Sequence, residues 1–262
     1  MERKIIEKHF RYTHERTEHP DGKAFTRHLH NEYEILYFIE GKADFVVEHL
    51  SYAMKSGDVV LVPPMKYHFV DIKNDMPYER MVIDFDSTPE LLPLLRALFD
   101  HPKILSCSDN ADLANVFGRL DAYTTRFEEK VRKLLASNLL TELLYLIAEG
   151  TMPARQGYAY GAETLNRALK YIDDNLVSIL DIDTIASGIF VSRSYLHRVF
   201  RDSLGISPMK YVNEKKLLLA ESCIRVGERP SHVYTKCGFG DYSSFYRAYK
   251  NRFGIPPTGG QK

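Results

Sequence analysis

The sequence predicts an α+β protein of two domains: an N-terminal β-barrel with trailing helices, and a C-terminal all-α domain with two helix–turn–helix motifs. Three observations support this fold class. Short apolar runs separated by turn residues fill the chain up to about Asp86. Leucine-rich stripes at helical spacing follow, at about residues 110–149. A segment near the end then occurs twice, 49 positions apart, and such a repeat strongly constrains the fold.

The first part of the chain has the turn spacing of short strands. We predict strands over residues 34–39, 44–47, 59–62 and 78–85. The first ends at the turn Glu40-Gly41, and the third ends at Pro63-Pro64, which cannot continue a central strand. Several short strands joined by regular turns are typical of a barrel or a sandwich.

Two apolar stripes at helical spacing follow the strands. Their members are Leu113, Val116, Phe117 and Leu120, then Leu135, Leu139, Leu140, Leu143, Leu144 and Ile147. Such stripes usually face a core, but these are broad enough for a second chain to share, so we predict a homodimer. Residues 150–162 contain Pro153 and three glycines, which predicts a linker. The predicted domains are therefore 1–149 and 163–262.

The formal net charge of zero hides an asymmetry between these domains. Residues 163–262 carry 15 Lys and Arg against 10 Asp and Glu, and the rest of the chain carries 20 against 25. A basic part beside an acidic body is typical of a nucleic-acid-binding module attached to another domain. Charge scattered over a solvated surface is the alternative, and charge alone does not decide between them.

The repeated segments, 194–208 and 243–257, share the pattern Ser-x-apolar-x-Arg-apolar-aromatic-basic and both end in Gly-Ile-x-Pro. Each predicts a helix with one apolar stripe and a polar, basic opposite face. Ser192 and Asp241 precede the two helices and are well placed as N-caps. A shorter predicted helix and a turn come before each cap, which completes two helix–turn–helix units.

With two unequal units in this order, about the last hundred residues resemble the AraC family of bacterial transcription regulators. The resemblance implies binding to double-stranded DNA, with the two recognition helices in successive major grooves about 34 Å apart. An exposed arginine on such a helix can bind guanine through two hydrogen bonds, which contributes about 1–3 kcal/mol of discrimination. RNA polymerase is a further candidate partner.

The resemblance also implies which side chains face DNA. In the first unit they are Ser192, Arg193, Ser194, His197, Arg198 and Arg201; in the second they are Tyr242, Ser243, Tyr246, Arg247 and Lys250. For Arg201 and Lys250, a phosphate contact and plain surface charge both stay open. Arg198 and Arg247 have equivalent repeat positions, which favours contact with DNA.

Two residues of the second unit depart from the family pattern. Tyr234 and Pro230 stand where the family usually has an alanine and an isoleucine. A bulky tyrosine at a close helix crossing displaces the recognition helix or forces the crossing to repack. We therefore predict that the second unit binds DNA more weakly than the first.

The strand region resembles a cupin, a small β-barrel common as the sensor half of AraC-type proteins. The matching residues are His28, Leu29, His30, Glu34, Gly41, Gly57, Pro63 and His68, and Met65 departs from the usual glycine. His28 and His30 alternate along a predicted strand, so their side chains point to one face. With Glu34 and His68 they form a three-histidine, one-carboxylate set that suits Zn, Fe, Mn or Ni.

Three interpretations of this set stay open. It is a divalent metal site, a metal-free wall of an effector pocket, or a group of structural histidines. We assign Tyr37 to the effector pocket with His28, His30, Glu34 and His68. No cofactor is predicted apart from the open alternative of the metal.

Together these observations predict a transcription regulator, not an enzyme, whose barrel binds a small-molecule effector. A sugar is the guess that the resemblance supplies. One alternative is a DNA-binding protein whose barrel only dimerises, and another is a metal-dependent cupin enzyme. The three cysteines form no zinc or disulfide pattern, and no apolar run is long enough to span a membrane, so we predict a cytoplasmic location.

Overall fold

The N-terminal part of the chain is built on two antiparallel β-sheets, and the C-terminal part is helical. The computed structural model describes residues 2–7, 9–22, 25–150, 152–159 and 163–258. The chain divides into two compact units, Met1–Tyr158 and Ala159–Lys262. The predicted α+β class is confirmed.

The strands alternate with tight turns, as the sequence predicted. They are β1 (Glu2–Ile6), β2 (Phe10–Thr17), β3 (Tyr33–Glu40), β4 (Ala43–Val47), β5 (Leu50–Ala53), β6 (Asp58–Val62), β7 (His68–Ile72), β8 (Tyr78–Phe85), β9 (Lys103–Ser106) and β10 (Tyr158–Ala159). The larger sheet has the order β1-β2-β8-β3-β6-β9, and the smaller has the order β10-β5-β4-β7. The four predicted strands correspond to β3, β4, β6 and β8.

Alternate side chains of the larger sheet enter two different cores. Ile35, Val59 and Ile83 pack with three helices, α1 (Leu92–Leu98), α2 (Ala111–Arg126) and α3 (Glu129–Glu149). Leu36 and Val60 instead pack with residues of the smaller sheet. The space between the two sheets is therefore separate from the layer of helices, and the candidate cavity belongs to that space.

The two leucine stripes are used within the chain itself. The α2 stripe is completely buried against the larger sheet, and the α3 stripe is buried except for the half-buried Leu135. The expectation that such stripes face a core is therefore confirmed, because this chain's own sheet covers them, and the homodimer stays a prediction. The exposed apolar residues of α3 are Val131, Leu134 and Tyr145, which lie outside the stripe.

The segment predicted as a linker packs on the barrel over its described part. The Arg155 amide donates to the Ile104 carbonyl over 2.6 Å, and the Ser106 amide donates to the Pro153 carbonyl over 3.0 Å. The Arg155 guanidinium lies 3.2 Å from the buried Asp58 carboxylate. A Cβ atom on Gly157 would lie 2.6 Å from the Tyr52 ring, so only glycine fits there. Residues 151 and 160–162 of the predicted linker lie outside the described part.

The helices of the C-terminal unit begin and end where the sequence signals predict. They are α4 (Glu163–Asn175), α5 (Ile182–Gly188), α6 (Arg193–Leu204), α7 (Pro208–Arg225), α8 (Pro230–Lys236) and α9 (Tyr242–Phe253), with a short 3-10 helix at Leu176–Ser178. The Ser192 and Asp241 side chains accept hydrogen bonds from the amides of Tyr195 and Ser244, which confirms both predicted N-caps.

The repeated Gly-Ile-x-Pro ending has a conformational cause. Gly205 and Gly254 follow α6 and α9 with φ angles of 72° and 74°. This left-handed conformation costs a residue with a Cβ atom about 1 kcal/mol or more, so glycine is favoured at both ends. Among the described residues, no helix has the length and apolar character needed to cross a membrane.

Candidate effector cavity and nucleic-acid interface

A cavity of about 400 Å³ opens between strands of the N-terminal unit. Leu36, Phe45 and Val82 contribute apolar walls, on the faces of their strands that point away from the helices. The polar lining residues are Glu2, Lys4, Arg11, Thr13, Thr26, His28, Glu34, His68, Arg80 and Asp84. A cavity of this volume suits a small ligand.

Three histidines and a buried glutamate come together beside this cavity. His28, Glu34 and His68 line it, whereas His30, which was assigned to the effector pocket, does not line it and contacts Glu34 instead. One possible ligand atom from each of His28, His30, Glu34 and His68 lies within 4.8 Å of the others. His28 forms a backbone bridge with His68, with N–H···O distances of 3.1 and 2.9 Å. Leu29 is buried on the opposite side, so His28 and His30 share a face, as the predicted alternation requires.

The main chain fixes the orientation of all three imidazole rings. The Nδ1 atoms of His28, His30 and His68 lie 2.8, 3.1 and 2.8 Å from the carbonyl oxygens of Thr26, Glu32 and Lys66. A carbonyl oxygen can only accept, so each Nδ1 carries a proton. Each histidine therefore keeps its Nε2 atom for the cluster, which is the arrangement found in metal-binding histidines.

The glutamate is held ionised by its neighbours. Its Oε2 atom lies 3.1 Å from Nε2 of His30 and 3.2 Å from Nε2 of His68. Burial alone would raise the pKa of Glu34, but the charge of His68 and the hydrogen bonds from both imidazoles hold it well below its usual value. Because Nδ1 of His30 already carries a proton, its Nε2 atom donates to Glu34 as the imidazolium, in agreement with the raised pKa of His30.

The imidazoles of His28 and His30 differ in basicity. Burial opposes the charged form of His30, but its hydrogen bond to Glu34 and the nearby carboxylates raise its pKa. The pKa of His28 is lowered to about 4, first by the protein atoms crowded around its ring and then by His68. One edge of His28 is nevertheless exposed to solvent. The four donors fit a divalent cation, which would supply a Lewis-acid contact for a ligand oxygen.

The structure adds an acidic and a basic residue that the sequence did not indicate. Asp84 is buried, with Oδ1 3.9 Å from Nε2 of His30, and its Oδ2 atom accepts from Nε of Arg11 over 2.8 Å. Burial, followed by the charge of Glu34, raises the pKa of Asp84. Arg11 and Glu34 are both register partners of Asp84 in neighbouring strands. Only knowledge of that strand pairing could have identified them.

Tyr37 does not line the cavity, which corrects its assignment to the effector pocket. Its ring stacks on Phe117 of α2, with centroids 4.5 Å apart and an interplanar angle of 11°. Tyr37 is three positions from Glu34 on β3, so the two side chains lie on opposite faces.

In the C-terminal unit, the two recognition helices expose matching stripes. The stripe on α6 consists of the exposed residues Ser194, His197, Arg198 and Arg201; the equivalent stripe on α9 consists of Ser243, the half-buried Tyr246, Arg247 and Lys250. Each set has the spacing i, i+3, i+4, i+7 and therefore lies on one face. The opposite faces carry buried residues, among them Leu196 and Phe200 on α6 and Phe245 and Tyr249 on α9.

Three other residues predicted to contact DNA are engaged within the protein. Ser192 caps α6. The guanidinium of Arg193 pairs with both carboxylate oxygens of Asp183 on α5. The Tyr242 ring packs edge-on against Tyr234 of α8, with centroids 5.7 Å apart and an angle of 78°.

The two departures in the second unit leave its helices intact. Pro230 is the first residue of α8, a position where proline is well tolerated. Tyr234 packs against the core of this unit and against Tyr242, and both helices of the unit form. Weaker DNA binding by the second unit stays a prediction.

Comparison with known families identifies the domain to which each site belongs. Residues 16–144 match the model described as the AraC-like ligand binding domain, and residues 185–262 match a helix-turn-helix domain. The chain belongs to the AraC family of transcription regulators. Its N-terminal unit is the ligand-binding domain of that family, and its C-terminal unit is the DNA-binding domain.

Curated relatives match over most of the chain. The probable transcriptional regulator LumQ of Photobacterium leiognathi is 27% identical over 90% of this chain and 92% of its own length. The raffinose operon transcriptional regulatory protein RafR of Pediococcus pentosaceus is 24% identical over 88% and 84%. A solved structure of ToxT from Vibrio cholerae covers 96% of this chain and 97% of its own at 13% identity, with a TM-score of 0.37. The relatives carry the names of regulators, so the enzyme alternative has no support from them.

For the AraC-family protein in the presence of a chelator, two histidines should give folding stability opposite dependences on pH. The pKa of His28 is lowered to about 4, so its contribution to stability should increase as the pH rises from about 4 to 6.5. The pKa of His30 is raised above 6.5, so its contribution should be lost as the pH rises above 6.5. For Glu34 the sign is opposite, because its lowered pKa makes stability fall as the pH falls below 4.5. Urea unfolding across both ranges measures these slopes.

Glu34→Gln should make the slope of folding stability against pH more positive between about pH 6 and 8, because it removes the carboxylate that raises the pKa of His30. Glu90→Gln is the matched control, since Glu90 lies exposed outside the cluster. Equal slopes for the wild type and Glu34→Gln would contradict this account of the cluster.

Proposed function

We propose that this AraC-family regulator binds a small saccharide in the cavity of its N-terminal unit and thereby changes its affinity for specific DNA. The observation that carries the proposal is the cavity's division into polar and apolar parts. Glu34, Asp84 and His28 supply hydrogen-bonding groups, and Phe25 and Phe45 supply aromatic surface. Hydroxyl groups and the C–H face of a sugar match these two kinds of wall.

The relative from Pediococcus pentosaceus also favours a saccharide, because its name refers to a raffinose operon. The specific sugar is left open by this similarity of 24%. A divalent cation held by His28, His30, Glu34 and His68 is the second candidate occupant, favoured by the orientation of the three Nε2 atoms.

The DNA contacts in this proposal come from the exposed stripes of α6 and α9. Arg198 and Arg247 occupy equivalent positions, and neither forms an ion pair within 4.0 Å among the described residues. Their guanidinium groups are therefore available for guanine. Arg201 and Lys250, one turn further along, suit phosphate contacts.

Strand β4 connects the cavity with Tyr158, near the end of the N-terminal unit. Phe45 lines the cavity, and the preceding residue, Asp44, points to the other face of the strand. The Asp44 carboxylate accepts a hydrogen bond from the Tyr158 hydroxyl, which itself accepts from Ser51 over 3.0 Å. We assign effector coupling to this contact, because a ligand that shifts β4 also changes how residues 152–158 are held.

A homodimer and contact with RNA polymerase remain parts of the proposal that rest on the family resemblance. Val131, Leu134 and Tyr145 on α3 are exposed apolar residues that a second copy could cover. The molar mass in solution, measured by light scattering, tests the dimer.

A saccharide that binds the cavity should raise the melting temperature of the wild-type protein. At about 100 times its Kd, a ligand that binds only the folded state stabilises it by about 2.7 kcal/mol. Glu34→Gln should abolish this shift, and Glu90→Gln should retain it. Stabilisation by zinc or manganese alone, with no response to any saccharide of a broad panel, would refute the saccharide and favour the metal site.

Tyr158→Phe should separate binding from response, because it removes the hydroxyl that contacts Asp44 and leaves the cavity lining unchanged. We expect the affinity for the saccharide to stay within about twofold and the effect of the saccharide on DNA affinity to decrease. Tyr123→Phe is the control. Wild-type coupling in Tyr158→Phe would contradict this path.

Arg198→Ala should weaken binding to the selected DNA site by more than about tenfold at fixed salt, because a bidentate guanine contact contributes about 1–3 kcal/mol. Lys170→Ala, which removes an exposed charge on α4, is the control. Fluorescence anisotropy measures both affinities, and the melting curve checks folding. Equal affinities for Arg198→Ala and the wild type would rule out base reading by Arg198.

A further inference from the structure

Within the two four-residue stripes, the recognition helices present the same residue types at all but one position. Ser194 and Ser243 are equivalent, as are Arg198 and Arg247, and a basic residue follows one turn later in each helix, Arg201 or Lys250. The exception is the position between the serine and the arginine. It holds His197 in α6 and Tyr246 in α9.

The first residue of each recognition helix is engaged with the preceding helix of its own unit. In the first unit this contact is the ion pair of Arg193 with Asp183, and in the second it is the ring contact of Tyr242 with Tyr234. The two contacts differ in chemistry but occur at the same position of the repeat. The first connects α5 to α6, and the second connects α8 to α9. These side chains therefore hold the angle of the recognition helix.

The shared residues give both helices the same base preference. A serine hydroxyl accepts or donates and discriminates little, whereas an arginine favours guanine in either half-site. His197 is exposed and presents a small ring that can donate to a guanine edge. Tyr246 is larger and half-buried beside Tyr242, with centroids 6.3 Å apart, and offers an apolar ring edge that suits the thymine methyl group.

We propose that His197 and Tyr246 are the specificity-determining residues that make the two DNA half-sites differ, and that Arg193 and Tyr242 are positioning residues. Both half-sites contain the guanine bound by Arg198 or Arg247. They differ at one neighbouring base pair, with guanine favoured opposite His197 and thymine favoured opposite Tyr246. This inference rests on the proposed role of α6 and α9 in reading DNA.

Selection from a random DNA library by the full-length protein tests the proposal. The proteins are the wild type, His197→Tyr, Tyr246→His and the double exchange, all at about 150 mM salt because salt sets non-specific binding. The wild type should select two half-sites about one helical turn apart that share a guanine and differ at one base pair. Melting curves confirm that each variant is folded.

Each single exchange should change the preference at one base pair of one half-site by at least about fivefold, toward the base favoured in the other half-site. The double exchange should reverse the order of the two half-sites. Exchanges that leave the selected site unchanged, or that lower affinity equally for all sequences, would overturn this inference and leave the proposed DNA reading intact. A wild-type protein that selects no motif would overturn both.

A double-mutant cycle on Asp183 and Arg193 tests the positioning role separately. If Arg193 acts through Asp183, Asp183→Ala and Arg193→Ala should each lower DNA affinity, the double variant should lose little more, and the selected motif should stay the same. A motif that changes at one base pair in Arg193→Ala but not in Asp183→Ala would show that Arg193 reads a base.

Discussion

The alternation of side chains along β3 separates the two functions of the N-terminal unit's larger sheet. Ile35 and Tyr37 face the helices, while Glu34 and Leu36 face the space between the sheets. The face toward the helices is filled by the leucine stripes of α2 and α3 and provides stability. The other face is left partly open, and its polar residues define the cavity.

The histidine–glutamate cluster depends on this separation, because Glu34 and His68 are buried in the space between the two sheets. Glu34 is buried, and removing a carboxylate from water is unfavourable unless charged partners compensate. The carbonyl oxygens of Glu32 and Lys66 orient His30 and His68, which both contact Glu34 and supply this compensation. The buried Glu34 carboxylate requires positively charged or hydrogen-bond-donating partners. The site is therefore also suited to a cation or to the hydroxyl groups of a ligand.

Local signals predicted much of this molecule. The N-caps Ser192 and Asp241 and the helices that follow them were predicted from short-range spacing. The meeting of His28, His30, Glu34 and His68 was predicted from the resemblance to a cupin. What the sequence could not provide depends on contacts between distant segments. Asp84 and Arg11 reach the cavity only through strand register.

Other predictions failed for identifiable reasons. Tyr37 was assigned to the cavity, but it lies three positions from Glu34 on β3. Its side chain therefore points to the opposite face of the sheet, where it stacks on Phe117. The glycine-rich segment after α3 has the composition of a linker, yet its backbone pairs with β9 and its glycine fits beneath Tyr52. Composition indicates how flexible the backbone of a segment is in the absence of tertiary contacts. Tertiary hydrogen bonds determine whether that segment is ordered in the folded protein.

The most direct test of the central claim, a sequence-specific regulator with a ligand-binding barrel, is to sequence the genomic DNA fragments that the purified protein captures at about 150 mM salt. The account predicts enrichment of sites that contain two boxes about one helical turn apart. Capture of fragments without any sequence preference would contradict it.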